Sequence, residues 1–257
     1  MSDQPIHRLY RHFKELPVSM RVLFTGTLLV IGMGYLFALI YVYTTDSGRD
    51  GKPGLSVDDI IISYSGSSEG SKIEAALQGP MSAMLSAGDR TQIVSWVRAG
   101  AARSEFESTI QPLIESNCLD CHDGSNPHLS NLDGFDNIQT VVAQDTGTPI
   151  HTLVRVSHIH LFGITFIFFI LGFIFSHSWV RPVWFKSVVI FLPFACIVAD
   201  VSSWYFTKIY HGFAWVVLFA GGLMALSFAI MWITSMYQMW FYRVPEQLTG
   251  RNENLPG

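Results

Sequence analysis

The chain of 257 residues has few charged residues and few cysteines. Charged residues make up 14% of the sequence, whereas about 25% is usual for a soluble domain. Three cysteines exclude a small scaffold built on many disulfide bonds. The net charge of −4 gives no basis for binding nucleic acid. Hydrophobic residues account for 49% of the chain, which excludes a disordered polypeptide and argues against an ordinary cytosolic globule.

The low charge content reflects several long segments that contain few or no charged residues. Residues 22–44 contain no charged residue, and as a helix they cross a hydrocarbon layer of about 30 Å. This apolar run is too long for the core of a signal peptide, and no Ala-x-Ala site follows it, so an uncleaved anchor is predicted. Three more spans are predicted at residues 153–175, 188–206 and 213–232, the last extending towards Trp240. A buried soluble three-helix core is disfavoured, because soluble helices rarely run about 20 residues without a polar face.

A hydrophilic segment separates the first predicted span from the second. Residues 46–150 contain 15 Asp and Glu residues and 6 Lys and Arg residues, a local net charge of −9. Basic residues are frequent in the N-terminal tail and at residues 181–186, whereas Lys208 is the one basic residue between the third and fourth spans. The positive-inside rule therefore predicts a multi-pass protein of a bacterial inner membrane, with both termini cytoplasmic and the hydrophilic segment periplasmic.

The predicted fold is mainly α, with four transmembrane helices and an all-α extracytoplasmic domain inserted between helices 1 and 2. Most of the Ser and Asn residues lie in that domain, as expected for a region that faces water. The predicted regions are a cytoplasmic tail (1–21), a transmembrane anchor helix (22–44), a periplasmic domain (45–151), a three-helix transmembrane bundle (152–240) and a second cytoplasmic tail (241–257).

The hydrophilic segment contains the sequence Cys118-Leu119-Asp120-Cys121-His122. Cys-x-x-Cys-His is the attachment signature of c-type haem. Two thiols about one helical turn apart can each form a thioether with a haem vinyl group, and the adjacent imidazole then reaches the iron. A zinc site is disfavoured because the chain has no second cysteine pair. Apolar residues at helical spacing precede the motif, so a helix is predicted to deliver it to the haem edge.

On this motif, residues 55–150 resemble the monohaem cytochrome c family. The resemblance implies an all-α domain with covalent haem c on Cys118 and Cys121 and with His122 as an axial iron ligand. The order of the parts departs from the family pattern, in which a methionine ligand and a final helix follow the motif. Here a Gly-Pro-Met sequence at residues 79–81 and a Trp-containing helix pattern both precede the motif.

Two explanations of this unusual order predict different sixth ligands for the iron. A permuted cytochrome c would use Met81 or Met84, which lie before the motif. Alternatively, residues 55–103 are a first cytochrome module that has lost its own haem motif, and the sixth ligand is His128, His151 or absent. Methionine ligation would give the haem a higher potential than histidine ligation.

Ionisable side chains also occur in the predicted spans, where they are costly and usually face a partner or a cavity. His158 and His160 lie in the second span, Asp200 in the third and His211 at the start of the fourth. One hypothesis pairs His158 or His160 with His211 as axial ligands of a haem b, and a second combines one of them with Asp200 and His211 as a copper or zinc site. In a third, an Asp–His hydrogen bond stabilises the bundle or lines a quinol pocket.

These features together predict a membrane-bound c-type cytochrome rather than a stand-alone enzyme. It would relay electrons between the quinol pool or a respiratory complex and a periplasmic carrier, through haem c and, in one version, a second site in the membrane. The local charge of −9 favours a basic soluble partner. Two alternatives stand beside this prediction: an electron-entry subunit of a larger oxidase or reductase, and a haem-based sensor with an open sixth position.

Overall fold

The computed structural model describes residues 12–67, 70–127 and 129–242. These residues are mainly helical, and no β-strand occurs among them. Their α-helices are α1 (Val18–Asp46), α2 (Val57–Ser65), α3 (Lys72–Gln78), α4 (Ala87–Arg98), α5 (Arg103–Glu105), α6 (Gln111–Asn117), α7 (Leu119–His122), α8 (Phe135–Val142), α9 (Ile150–Ser176), α10 (Val183–Thr207) and α11 (Ala214–Trp240). Other helical turns are a 3-10 turn at Phe13–Glu15, a π-helical turn at Phe106–Ile110 and a 3-10 turn at His211–Phe213.

Four helical segments are long and apolar enough to cross a membrane: α1, α9, α10 and the segment His211–Trp240, which contains α11. The four spans predicted from the sequence are therefore confirmed as helices. Each helix is longer than the apolar run that predicted it, because helical hydrogen bonding continues into the flanking residues. The long helices and the short helices between α1 and α9 make the mainly α fold that the sequence predicts.

The chain forms two compact units. The first contains the described residues within Met1–Phe37, Ser157–Val201 and Phe219–Gly257. The second contains Ala38–Val156 and Ser202–Leu218, and so includes the hydrophilic segment together with the adjoining ends of the long helices.

A hydrophobic core lies inside the second unit, among α3, α4, α6, α8 and the π-helical turn. Ile93 and Trp96 of α4 are fully buried. The indole N–H of Trp96 donates to the carbonyl oxygen of Ala102 at 3.0 Å, so this polar group is satisfied inside the core. The core residues are Ile73, Leu77, Leu85, Ile93, Trp96, Ala101, Phe106, Ile110, Ile114, Leu132, Ile138 and Val141.

Side-chain caps fix where α2 and α3 begin. The hydroxyls of Ser56 and Ser71 accept backbone N–H bonds at the starts of α2 and α3, and the carboxylates of Asp59 and Glu74 accept the N–H bonds of those serines. Each N-cap is worth about 1 kcal/mol. Glu74 also accepts a 2.8 Å bond from Arg98 of α4. Burial raises the pKa of Glu74, but the bonds from Ser71 and Arg98 outweigh burial and hold it below its usual value.

Aromatic contacts join the long helices of the first unit. The indole N–H of Trp232 in α11 donates to the carbonyl oxygen of Leu28 in α1 at 2.8 Å. The ring of Tyr35 stacks on that of Phe228, with centroids 4.0 Å apart. A Cβ atom at Gly32 would lie 2.9 Å from the Trp232 indole nitrogen, so glycine permits the close approach of α1 and α11 at this point.

Candidate haem-attachment site

The cysteines of the motif lie on a single helical turn in the second unit. The backbone N–H groups of Cys121 and His122 both donate to the carbonyl oxygen of Cys118, at 3.2 and 2.9 Å. Both thiols are free, with Cys118 half-buried and Cys121 exposed. This arrangement matches the predicted spacing of about one turn, and it leaves both sulfur atoms available to a group docked against the turn.

The imidazole of His122 is held by its Nδ1 atom. Nδ1 lies 2.7 Å from the carbonyl oxygen of Ser130. A carbonyl oxygen can only accept, so Nδ1 carries the proton and the Nε2 atom keeps its lone pair for a metal. The N–H of Leu132 also donates to the carbonyl oxygen of His122 at 2.9 Å. The loop after α7 therefore orients the ring, which is how proteins commonly fix a ligating histidine.

The first residues of the motif and the helix before it pack against apolar side chains. Leu113, Cys118 and Leu119 are half-buried and pack against the hydrophobic core of the second unit. Burial raises the pKa of the Cys118 thiol, which is expected for a sulfur beside apolar neighbours. Two thiols on one turn and one oriented imidazole fit the chemistry of a covalently attached haem c.

The helix that precedes the motif buries its apolar face as the sequence predicts. Phe106, Ile110 and Ile114 are each no more than 2% exposed, and they contribute to the core. The helix is not uniform, however, because Phe106–Ile110 form a π-helical turn between α5 and α6. Apolar spacing alone does not distinguish this turn from α-helix, so the sequence analysis missed it.

The four sixth-ligand candidates lie in different surroundings. Met81, in the turn after α3, is half-buried against the same core as Cys118, and its N–H donates to the carbonyl oxygen of Ala76 at 2.8 Å. Met84 is 64% exposed and is not among the residues packed on that core. His151 is exposed in the first turn of α9. His128 lies outside the described residues.

The packing therefore distinguishes the two methionines. Met81 and Cys118 share one core, whereas Met84 projects towards solvent. The identity of the axial ligand and the burial of the site are two means by which a protein tunes a haem. Of the two methionines, Met81 is the one that packs on the core that Cys118 also contacts.

The predicted membrane site is spread over both units. His158 and His160 of α9 and Asp200 of α10 belong to the first unit, and His211 to the second. Asp200 is buried and His160 half-buried, whereas His158 is exposed, with its ring centroid 5.1 Å from that of Phe162. His211 is exposed in a 3-10 turn.

Geometry gives no support to a bare metal site at these positions. Within residues 12–67, 70–127 and 129–242, no group of three or more His, Cys, Asp or Glu side chains is arranged to hold a metal ion. The hypotheses of a haem b with two histidine ligands and of an Asp–His pair need fewer protein ligands, and they stay predictions.

Near the motif in sequence, carboxylates are frequent and lysine and arginine are absent. Arg103 is followed by no other Lys or Arg until Arg155. Arg103 itself is paired with Asp136, at 2.7 Å. The hydroxyl and N–H of Ser125 donate to Asp123 and hold the pKa of that carboxyl below its usual value. The exposed carboxylates nearest the motif in sequence are those of Glu115, Asp120, Asp123 and Asp133.

Comparison with known proteins bears on the later spans. The model of the Aq_1264_TM family, a transmembrane helical domain, matches residues 146–246. No curated protein and no solved structure matches the chain. The matched region contains α9, α10 and α11 and begins after the Cys-x-x-Cys-His motif. Together with the four long apolar helices, this similarity supports a multi-pass helical membrane protein.

Proposed function

We propose that this chain is a membrane-anchored c-type cytochrome that passes electrons between the quinol pool or a respiratory complex and a soluble periplasmic carrier. The observation that carries the proposal is the geometry of the motif. Cys118 and Cys121 lie on one helical turn, and the Nδ1 contact of His122 with Ser130 leaves Nε2 free. A disulfide oxidoreductase would need the two thiols but would have no use for an oriented imidazole.

Each residue of the site has a defined task in this proposal. The sulfur atoms of Cys118 and Cys121 would hold the porphyrin by thioether bonds, and Nε2 of His122 would bind the iron. The carbonyl of Ser130 would keep the ring in one tautomer and increase its basicity. Haem c would supply the one-electron redox chemistry.

Met81 is proposed as the sixth ligand, because it is half-buried on the core that holds Cys118. This choice corresponds to the permuted arrangement, in which the methionine comes before the motif in sequence. Leucine at this position would keep the packing but remove the sulfur. A six-coordinate iron with a methionine ligand suits electron transfer, and it disfavours a sensor with an open sixth position.

The membrane end of the electron path is proposed to involve Asp200. This carboxylate is only 8% exposed in an apolar helix, and an ionisable residue at such a position marks a functional site by default. Quinol oxidation releases protons, for which a carboxylate is a suitable acceptor. The proposal places the hydrophilic segment 45–151 in the periplasm and both termini in the cytoplasm, in agreement with the distribution of basic residues.

The carboxylates around the motif favour a basic soluble partner. Opposite charge on two redox proteins accelerates their encounter, and salt weakens the effect. The test uses the reduced haem-loaded chain mixed rapidly with a basic soluble c-type cytochrome at increasing ionic strength. Electron transfer is expected to slow as salt rises. A rate that does not depend on ionic strength would contradict this choice of partner.

Two double variants test whether the soluble partner binds beside the motif. Asp120→Asn with Asp133→Asn removes two exposed charges beside the motif, and the expected result is a several-fold slower reaction at low salt. Asp58→Asn with Asp89→Asn removes two charges from the first turns of α2 and α4 and serves as the control. Equal slowing by both pairs would show that only the overall charge matters.

A further inference from the structure

Lys208 lies in the turn between α10 and the segment that starts at His211, and its ammonium group is enclosed by backbone carbonyls. Its Nζ atom donates to the carbonyl oxygens of Tyr64, Thr146 and Thr148, the last two at 3.0 Å. A lysine ammonium has three N–H donors, so these contacts use all of them. All four residues belong to the second unit.

Two further contacts join α2 to the end of α10. The hydroxyl of Ser65, the last residue of α2, donates to the carbonyl oxygen of Thr207 at 2.9 Å. The ring of Tyr64 stacks on that of Trp204, with centroids 5.9 Å apart and planes 14° from parallel. The C-terminal turn of α2 is therefore fixed to the last turn of α10, directly before Lys208.

The segment before α9 completes this arrangement. The N–H and the hydroxyl of Thr148 both donate to the carbonyl oxygen of Ser63, at 3.0 and 2.8 Å. A Cβ atom at Gly66 would collide with the backbone of Asp145, and one at Gly147 would collide with the backbone of Tyr64. Both glycines also have positive φ values, so other residues would be strained there. We call the three segments 63–66, 145–148 and 204–208 the carbonyl joint.

The contacts of the carbonyl joint account for the presence of Lys208, which the positive-inside rule does not explain. Lysines are uncommon in short loops on the outer side of a membrane, and Lys208 is the one basic residue in its loop. Its charge is satisfied by three carbonyl dipoles and by the nearby carboxylate of Asp145. Lys208 is therefore explained by its contacts within the protein rather than by membrane topology.

We propose that Lys208 is a positioning residue that fixes the helical domain carrying the haem motif to the turn between α10 and α11. The three segments it joins are distant in sequence, and a single side chain contacts two of them from the third. This inference extends the proposed function: the joint would hold the haem at one position relative to that turn, and the rate of its reduction would depend on that position. Without the joint, the domain keeps its haem but loses its fixed position.

The first test measures the joint without reference to haem. Lys208→Met removes the donors and keeps an unbranched side chain that is one atom shorter, and Lys52→Met removes a lysine whose side chain is 75% exposed. Hydrogen exchange of the full chain in detergent is compared at the amides of Ser67, Gly147 and Thr148. In Lys208→Met exchange is expected to be about tenfold faster, which corresponds to about 1.4 kcal/mol of opening free energy. In Lys52→Met it is expected to be unchanged.

Exchange as slow in Lys208→Met as in the unmodified chain would overturn the proposal. So would equal acceleration of the buried amides of Ile93 and Trp96 in α4, because that would indicate general unfolding of the domain. If Lys208→Met does not fold, Ser65→Ala provides a smaller change at the joint, since it removes one hydrogen bond to Thr207. It is expected to accelerate the same amides several-fold, and no change would overturn the proposal.

The second test separates positioning from haem chemistry. In the haem-loaded chain, Lys208→Met is expected to leave the haem spectrum and the midpoint potential unchanged and to slow reduction by a quinol several-fold. An unchanged rate, or a slower rate with a shifted potential, would contradict a positioning role. If the purified chain carries no haem, the proposed function is wrong. The hydrogen-exchange measurement would still decide whether Lys208 forms the joint.

Discussion

The short helices of the second unit and the four long helices place their apolar side chains in opposite surroundings. Phe106 and Trp96 are at most 1% exposed inside a core shared by short helices. In α1, Val30 is 72% and Phe37 is 64% exposed, which is unfavourable in water and suitable in lipid. The difference shows which region folds by excluding water and which needs a membrane around it.

The two regions also differ in how polar groups are used. The short helices α2, α3 and α4 begin with serine caps, and an ion pair between Arg98 and Glu74 joins α4 to α3. The long helices satisfy their backbone internally, and selected polar side chains make contacts between them, as Trp232 does with Leu28. Chemistry that needs a water-exposed, charge-rich surface is therefore expected in the second unit, where the Cys-x-x-Cys-His motif lies.

The cysteines provide the largest expected contrast between the regions. Cys118→Ser with Cys121→Ser should abolish covalent haem completely, because no thioether can form. Cys196→Ser changes the buried cysteine of α10 and should leave haem attachment intact. The measurement is haem-derived peroxidase staining of denatured protein on a gel. Staining that survives the double change would refute attachment at the motif.

A matched pair of phenylalanines tests the contrast in burial. Phe106→Ala should cost about 3–5 kcal/mol of stability, because it leaves a cavity in the core. Phe37→Ala removes the same side chain from an exposed position on α1 and should change stability by about 0.5 kcal/mol or less. Denaturant unfolding in detergent measures both. Equal costs would mean that the exposed face of α1 is covered by another chain.

The two methionines sharpen the comparison within the second unit. Met81→Leu should lower the midpoint potential of the haem and alter its ligand-field absorption, because the sulfur ligand is lost. Met84→Leu, at a solvent-exposed position, should alter neither. If instead Met84→Leu lowers the potential, the assignment of the ligand is reversed; if neither variant has an effect, a histidine ligand is favoured.

The smallest expected effect is a pH dependence in the first unit. His12 is buried; its Nδ1 accepts the N–H of Lys14 at 3.2 Å and its Nε2 lies 3.2 Å from Oε1 of Gln238. Burial holds the pKa of His12 below its usual value of 6.5, although the bond to Gln238 opposes this. At a pH just below about 6.5, His12 is therefore protonated in the unfolded chain but still neutral in the folded chain. The free energy of unfolding should then decrease as the pH drops below about 6.5.

His12→Asn is the control for that measurement, because asparagine keeps an acceptor for the cap and does not titrate. Thermal unfolding in detergent between pH 7.5 and 5.5 should show a decrease for the unmodified chain and a smaller decrease for the variant. Parallel curves for the two proteins would assign the pH dependence to another group.

The spans and the core of the motif helix could be predicted from the sequence because both depend on local periodicity. Uncharged runs long enough to cross lipid predicted the four spans. The helical spacing of Phe106, Ile110, Leu113 and Ile114 predicted an apolar face, of which Leu113 is half-buried and the other three residues are buried. The π-helical turn could not be predicted, since it has the same apolar pattern as an α-helix.

The contacts of single polar groups could not be predicted, because they depend on segments distant in sequence. Nothing in the motif indicates that the Ser130 carbonyl holds His122, and nothing near Lys208 indicates that Tyr64 and Thr148 surround it. The choice between Met81 and Met84 likewise depended on how the turn after α3 packs. A cation in a loop predicted to be external was the one available signal for the joint.

The central claim is that haem is covalently attached at Cys118 and Cys121, and its most direct test is the haem content of the purified chain after acid-acetone extraction. Extraction removes haem b and leaves thioether-linked haem on the polypeptide. The account predicts that about one haem per chain stays on the protein, with the pyridine haemochrome of a doubly linked haem c. A polypeptide that carries no haem after extraction would contradict it.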